Sequence, residues 1–398
     1  MDAEHIVIGA GISGLSMAHH AAARGISTLV LEAENRIGGC IQSLAFREDF
    51  WVEGGSHTCF NSYGHLLDLL QQLQPPLTKL PKIKYHYQRW QGGQRRSLVS
   101  GVHPLELLGA LPRLPFIQKT GRTLADYYSR VLGRRNYQDL FRYAFRAVIC
   151  QEADEFPAEL LFRPKPKRKG VPRSFSFSGG LSRIPQAIAK QPGIQVRTAR
   201  RVAAVQPRGE GFRLVLESGE ALECRWLTLA VPPDAARQLL AGAFASLARE
   251  LEGMRTAAID SLVLRVPAQA LSLPPLAGLI SSEAAFYSAV SRDYLPHERY
   301  RGFTLHFRAD ALSQDAQIAT ACAALGIQPD AILDPVWIRN RLPVLRLEQQ
   351  ARIQRLTAQL RGMRLAITGN WFFGVSIEDC LMRSHEESLR LFGEAHAN

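Results

Sequence analysis

The chain has 398 residues, 46% hydrophobic and 21% charged, a balance that excludes global disorder, a collagen repeat and a disulfide scaffold. Its length fits two intimately joined domains better than one core. The net charge is +12, and it is concentrated: Lys79 to Arg208 carries 26 basic and 7 acidic residues, net +19, while the remainder is net −7. Such a segment points to an acidic partner (an anionic membrane surface, a carboxylated substrate or nucleic acid) or to Arg-rich solvated faces.

In chain order, His5 to Ile8 is a short apolar strand that runs into Gly9-Ala10-Gly11-Ile12-Ser13-Gly14. Ser13 to Arg24 is Ala-rich and predicts a helix that Gly25 stops. Ser27 to Leu31 is a second strand, ending at Glu32. This is a βαβ unit in about 30 residues. Residues 62–75 predict a helix with a leucine face, and residues 101–150 are mostly helical, broken by Pro104, Pro112 and Pro115. Residues 163–173, rich in Pro, Lys and Arg, read as a loop. Residues 194–232 alternate like a strand meander that turns at Ser218-Gly219, and residues 256–310 are strand-like again. An amphipathic helix over 345–362, a strand from Leu365 to Thr368 and a closing helix complete the chain.

The six cysteines include no C-x-x-C pair, and no His cluster accompanies them, so neither a metal site nor a disulfide framework is expected. No basic region precedes the first apolar run, and no uncharged apolar stretch nears the roughly 18 residues of a spanning helix. These readings place the protein in the cytoplasm, with a peripheral contact on the inner membrane left open.

The Gly9-x-Gly11-x-x-Gly14 spacing has the setting that gives it meaning, with a strand before, a helix after and an acid at the end of the second strand. Gly9 permits the tight turn, Gly11 lets backbone approach a pyrophosphate, and Gly14 allows close helix–strand packing. The helix N-terminus offers free N–H groups to phosphate, with Ser13 in that first turn, and Glu32 can accept from ribose hydroxyls.

Beyond Glu32, the segment Glu34-Asn35-Arg36-Ile37-Gly38-Gly39 resembles the FAD fingerprint of the flavin amine oxidase superfamily. Gly54-Gly55-Ser56-His57 resembles its next flavin-side turn, and Phe177 to Pro185 its central Gly-Gly segment. Val202 begins a strand similar to the one whose backbone pairs with adenine. The last block, Gly369-Asn370-Trp371-Phe372-Phe373-Gly374-Val375-Ser376 and onward to Cys380, is similar to the closing motif of the protoporphyrinogen oxidase-like branch.

The resemblance implies an α/β fold: a Rossmann-like FAD-binding domain of the GR2/amine-oxidase type with an interleaved α+β substrate domain. The FAD domain would be discontinuous, at 1–75, 174–235 and 344–398, and the substrate domain would take 76–173, mostly helical, and 236–343, mostly sheet. It implies an FAD-dependent oxidase or dehydrogenase in which a substrate C–H gives hydride to flavin N5 and O2, or a quinone, takes the electrons. Gly374 would let backbone approach the flavin, the N–H groups around Val375 and Ser376 would stabilise charge on it, and Asn370 would meet ribityl or pyrophosphate oxygens.

Amine-oxidase-like members carry a Lys on a strand of the substrate domain. Here the last lysine is Lys190, and Asp260 to Arg265 has none. No Cys is placed to bind flavin covalently, so the FAD would be non-covalent. Arg142 and Arg146, i,i+4 on a predicted helix, are candidates for binding propionates, and His57 is a further candidate near the substrate. The run from Arg163 to Arg173 reads as a solvated loop or a membrane-surface patch. Leu105 to Ile117 could dip into a membrane interface or form a core helix pair. The alternative substrate is another small molecule, such as an amine, a pyrrolic compound or a natural-product intermediate. A nucleic-acid-binding role would rest on the basic segment alone, since no nucleic-acid module accompanies it.

Overall fold

The computed structural model describes all residues except 48, 111, 113–115 and 394–398. Its strands, numbered β1 to β19 along the chain, gather mainly into two seven-stranded sheets.

The first sheet has the order β10 (Ile194–Arg197), β2 (Thr28–Leu31), β1 (Ala3–Ile8), β13 (Ala221–Leu229), β12 (Gly211–Leu216), β11 (Val202–Arg208), and β19 (Leu365–Ile367) pairs with β13 as a branch. Pairing among β10, β2, β1, β13 and β19 is parallel. Parallel strands are covered on both faces, which explains the unbroken apolar runs: Ile6, Val7, Leu29, Val30, Leu227 and Leu229 are all buried. Strands from the start, middle and end of the chain thus share one sheet. The helices Ile12–Ala22 and Ile377–Phe392 pack together beside it, and Ser384 Oγ donates to Ser13 O at 3.0 Å.

The second sheet has the order β18 (Leu333–Val344), β14 (Arg255–Pro267), β17 (Tyr300–Arg308), β16 (Phe286–Ser291), β15 (Gly278–Ser281), β7 (Tyr87–Gln91), β8 (Gln94–Ser97). One face carries Leu262, Leu264, Phe303 and Leu305 into an apolar core shared with the helix Gln314–Leu325. Residues 76–173, expected to be mostly helical, open instead in strands, because β7 pairs in parallel with β15 and β8 forms a hairpin with β7 through Gly92-Gly93. Those two glycines have φ of +58° and +72°, a conformation that β-carbons disfavour. Helices then follow at Pro104–Ala110, Leu124–Leu132 and Arg142–Ile149.

Two small sheets join the large ones. The hairpin β3 (Ser43–Arg47) and β4 (Phe50–Glu53) packs its Phe50 and Val52 against Val263 and Ile338 of the second sheet. In the other, β9 (Ser174–Phe177) lies between β5 (Cys59–Phe60) and β6 (Lys79–Pro81). That arrangement puts Lys82, the residue after β6, beside Thr58, the residue before β5.

The six cysteines are free thiols. No helix among the described residues is long and apolar enough to cross a membrane. Four residues of the 105–117 segment lie outside the described residues, while Leu105, Leu108 and Phe116 are exposed.

Candidate cofactor and substrate site

Backbone sterics build the first glycine turn. Gly9 has φ +104°, and a Cβ there would sit 2.5 Å from Ala230 O; a Cβ on Gly14 would sit 2.0 Å from Gly9 O. Gly11 differs, because a Cβ there would enter open space. Gly11 also caps the helix Ile12–Ala22 with no side-chain hydrogen bond and no acid in the first turn. The helix N-terminus is therefore a set of N–H donors without a side-chain cap, approached closely only by the Gly11 backbone, which is what an anionic pyrophosphate requires.

A second turn stacks on the first. Gly38 forms an isolated parallel bridge with Gly11, donating its N–H to Ala10 O at 2.8 Å, and a Cβ on Gly39 would lie 3.3 Å from Gly11 Cα. Glu32 is fixed between the two turns, its Oε2 accepting from Ala10 N at 2.8 Å and its Oε1 from Glu34 N at 2.9 Å. Arg36 is half-buried and meets no carboxylate among the described residues; its Nη1 donates to Ile37 O at 3.4 Å. Val202 is buried at the start of β11, directly after a segment tied to Glu32 through Arg200 N.

Gly54 and Gly55 form a third turn against the second sheet. A Cβ on Gly55 would lie 2.0 Å from Cys40 O, and Asn340 Nδ2 donates to Gly54 O at 3.4 Å. At the other end of the chain, Gly374 has φ +136° and abuts Asp379. Asn370 is half-buried, and its amide has no protein partner among the described residues. One expectation is corrected here. The Ser376 N–H is not free for a ligand, because Ser376 and Asp379 form a reciprocal capping box in which Asp379 Oδ2 accepts from Ser376 N at 3.2 Å. The half-buried Val375 precedes that box.

The basic candidates are largely consumed inside the protein. Arg142 pairs with Asp154 at 3.2 Å and with Glu152 at 3.8 Å. Arg146 is buried and donates to Ser281 O and Glu283 O at 2.9 and 2.6 Å. The loop expected to be solvated is exposed at Lys167, Arg168, Lys169 and Arg173, with Arg168 paired to Asp68 at the surface, but it is anchored at Lys165, which reaches the buried Asp379.

His57 lies where the third turn meets the second sheet. Its Nε2 is 3.0 Å from His306 Nε2, and His306 Nδ1 is 2.9 Å from Ser261 Oγ. Lys82 Nζ donates to His57 O at 2.8 Å and to Thr58 Oγ1 at 2.6 Å, and sits 3.1 Å from the centroid of Tyr294. Burial lowers Lys82 to about 7, opposed by the Glu53 charge. Glu53 is buried and pushed up to about 7 by desolvation, opposed by Ser43 Oγ at 2.6 Å and Leu181 N at 2.9 Å. Sequence reasoning missed Lys82, Ser261 and His306. The only local signal was the Gly92-Gly93 turn, which marks the β7–β8 hairpin just after Lys82.

A family profile described as flavin containing amine oxidoreductase matches residues 133–387, and an NAD(P)-binding Rossmann-like profile matches 7–73. The flavin-containing amine oxidase of Danio rerio is 22% identical over 259 residues, 57% of this chain and 50% of that protein, so the chain spans about half the length of this curated relative. A provisionally assigned protoporphyrinogen oxidase from Exiguobacterium sp. 255-15 superposes with a TM-score of 0.78 at 16% identity, covering 98% of each chain. Cyclohexylamine oxidase from Brevibacterium oxydans IH-35A gives 0.72 at 16% identity, covering 99% of this chain and all of that one (100%). At these identities the two structures establish a shared fold.

Proposed function

The chain belongs to the flavin-containing amine oxidoreductase family, and on that premise we propose that it is an FAD-dependent oxidoreductase acting on a small molecule. The observation that carries this reading is the stacked pair of glycine turns, with Gly11 against Gly38, Glu32 between them and an uncapped helix N-terminus alongside. These residues fit the group: Gly9, Gly11, Ser13 and Gly14 would hold the pyrophosphate and Glu32 the ribose. Val202 would meet adenine through its backbone. Arg36, Gly38, Gly39, Gly54, Gly55, Gly369, Asn370, Gly374 and Val375 would line the flavin half. When bound without a covalent link, FAD would supply a two-electron acceptor at N5, reoxidised by O2 or a quinone.

In this reading the FAD domain takes 1–75, 174–235 and 344–398, and the second sheet with the helices of 104–149 forms the substrate side. The protein works in the cytoplasm, with a peripheral membrane contact at the exposed Leu105, Leu108 and Phe116. The first substrate reading is a protoporphyrinogen-like macrocycle, supported by the closing Gly369–Cys380 block and by the fold shared with the Exiguobacterium structure. The second is another small molecule, such as an amine or a natural-product intermediate. It is favoured by Arg142 and Arg146, whose guanidinium groups are committed to carboxylates and carbonyls of the chain.

Anaerobic mixing with protoporphyrinogen separates the two. Loss of the visible flavin absorbance, with porphyrin fluorescence appearing and colour restored by air, is the result expected of the first. A yellow protein that stays yellow with protoporphyrinogen and bleaches with an amine sinks the first and supports the second.

A further inference from the structure

Ser261 on β14, His306 on β17 and Ser288 on β16 form one row across the second sheet, both serines being in register with His306. The row faces the glycine turns. Thr304, two residues before His306, donates its hydroxyl to Glu53 O at 2.6 Å, and His306 itself reaches His57. All three residues of the row are buried.

The protons of this row can be counted. Ser261 Oγ meets a single group, His306 Nδ1. A buried hydroxyl with one acceptor in reach donates to it, because an unpaired O–H in a dry site costs about 1–3 kcal/mol. His306 Nδ1 is then an acceptor. Burial lowers His306 to about 4, so its ring is neutral and its proton is on Nε2. Two Nε2 atoms 3.0 Å apart share one proton, so His306 donates to His57. Desolvation, with the neighbouring His306 and Lys82, holds His57 well below its ordinary value, so it too is neutral and its proton lies on Nδ1. Nothing among the described residues accepts from that Nδ1, and His57 remains half-buried, with surface still open. One register position beyond His306, the buried Ser288 Oγ also meets no protein group.

Buried polar groups rarely go unpaired, so the unpartnered Ser288 Oγ, on the same side of the sheet as the open Nδ1 of His57, marks where a ligand supplies the partners. The basic group beside them is Lys82, whose Nζ donates to His57 O, and the nearby carboxylate of Glu53 is engaged by Ser43 and Leu181. We infer that Ser261–His306–His57 is a tautomer lock presenting His57 Nδ1–H, with Ser288 beside it, to a hydrogen-bond acceptor of the substrate. The site thereby takes molecules with a neutral or anionic acceptor and turns away ammonium ions. In this scheme His57 is the group that meets the substrate, and Ser261 and His306 are positioning residues that act through it. That the ligand is the substrate rests on the proposed oxidoreductase reading; the proton count does not.

The test uses holoprotein with 15N-labelled histidine and long-range 1H–15N correlation, with signals assigned through His57→Gln and His306→Gln. The expected pattern is a protonated Nδ1 and bare Nε2 on His57 and the reverse on His306, unchanged between about pH 6 and 8. A protonated Nε2 on His57 overturns the lock. In Ser261→Ala the His57 pattern should collapse to a mixture of tautomers, and an unchanged pattern overturns the role of Ser261. Pyrrole-2-carboxylate and benzylamine are then titrated and followed at the His57 Nδ1–H signal. Binding of the carboxylate about tenfold or more tighter is expected, and equal or tighter binding of benzylamine overturns the selectivity. A chain that carries no flavin would sink the oxidoreductase reading, while the tautomer pattern and the titration, neither of which uses flavin, still decide the inference.

Discussion

Lys165 Nζ lies 2.8 Å from Asp379 Oδ1, joining the basic loop after residue 160 to the first turn of the closing helix. The Asp379 carboxylate is buried and also serves the Ser376 cap, so the lysine neutralises a charge that water cannot reach. Lys165→Met leaves that carboxylate uncompensated and should lower stability by about 3 kcal/mol, in the range for breaking a buried pair. Urea denaturation measures it; a loss under about 0.5 kcal/mol, typical of a surface pair, would show the contact to be incidental.

The glycines of the first turn should separate folding from binding. A methyl at Gly11 enters open space and one at Gly14 meets Gly9 O at 2.0 Å. Gly11→Ala should therefore keep its far-UV dichroism and the melting temperature of the apoprotein, yet retain FAD at least about tenfold more weakly. Gly14→Ala should destabilise the apoprotein itself. The comparison needs only flavin content per mole of protein and a thermal melt of each stripped variant.

Glu53 predicts a particular pH dependence. Its folded value is raised to about 7 from 4.5, chiefly by burial. Between those values the folded state binds a proton that the unfolded state has released, so this group's contribution to stability falls as pH rises, by at most about 1.4 kcal/mol per unit. Lys82, lowered from 10.5 to about 7, acts oppositely above 7, where the unfolded state holds the extra proton and stability rises with pH. Subtracting the stability–pH curve of Glu53→Gln from that of the parent should give a slope confined to about pH 4.5–7. A flat difference would show that Glu53 titrates normally.

The two arginines at 142 and 146 should behave differently. Arg142 is partly exposed and its pairs are solvent-screened, so Arg142→Ala should cost under about 1 kcal/mol. Arg146 is buried, satisfies two carbonyls and lies over the Tyr143 and Tyr287 rings. Arg146→Ala should cost about 2–4 kcal/mol through the lost packing and orphaned carbonyls. If Arg142→Ala instead leaves stability intact and raises KM sharply for a carboxylated substrate, the arginine faces the substrate after all.

What the sequence determined by itself was the local geometry. Gly9, Gly11, Gly14 and Glu32 stand within one βαβ unit, where spacing along the chain is spacing in space, and their backbone requirements follow from sterics. Within the meander expected over 194–232, the antiparallel run β11–β12–β13 and then the closing strand and helix were legible for the same reason, through period and turn residues, whereas β10 leaves the meander and pairs in parallel with β2 at the far edge of the sheet. The tertiary structure decided which side chains face one another. His57 and His306 are 249 residues apart, and their contact depends on the register of β14, β17 and β16 and on how the third glycine turn packs against that sheet. The basic run is exposed over most of its length, as its composition suggested, but composition records charge and not partners, and only folding brought Asp379 to Lys165. Lys82 was likewise an ordinary lysine in the sequence, until pairing of β6 with β9 carried it into a half-buried position where burial weakens its hold on a proton.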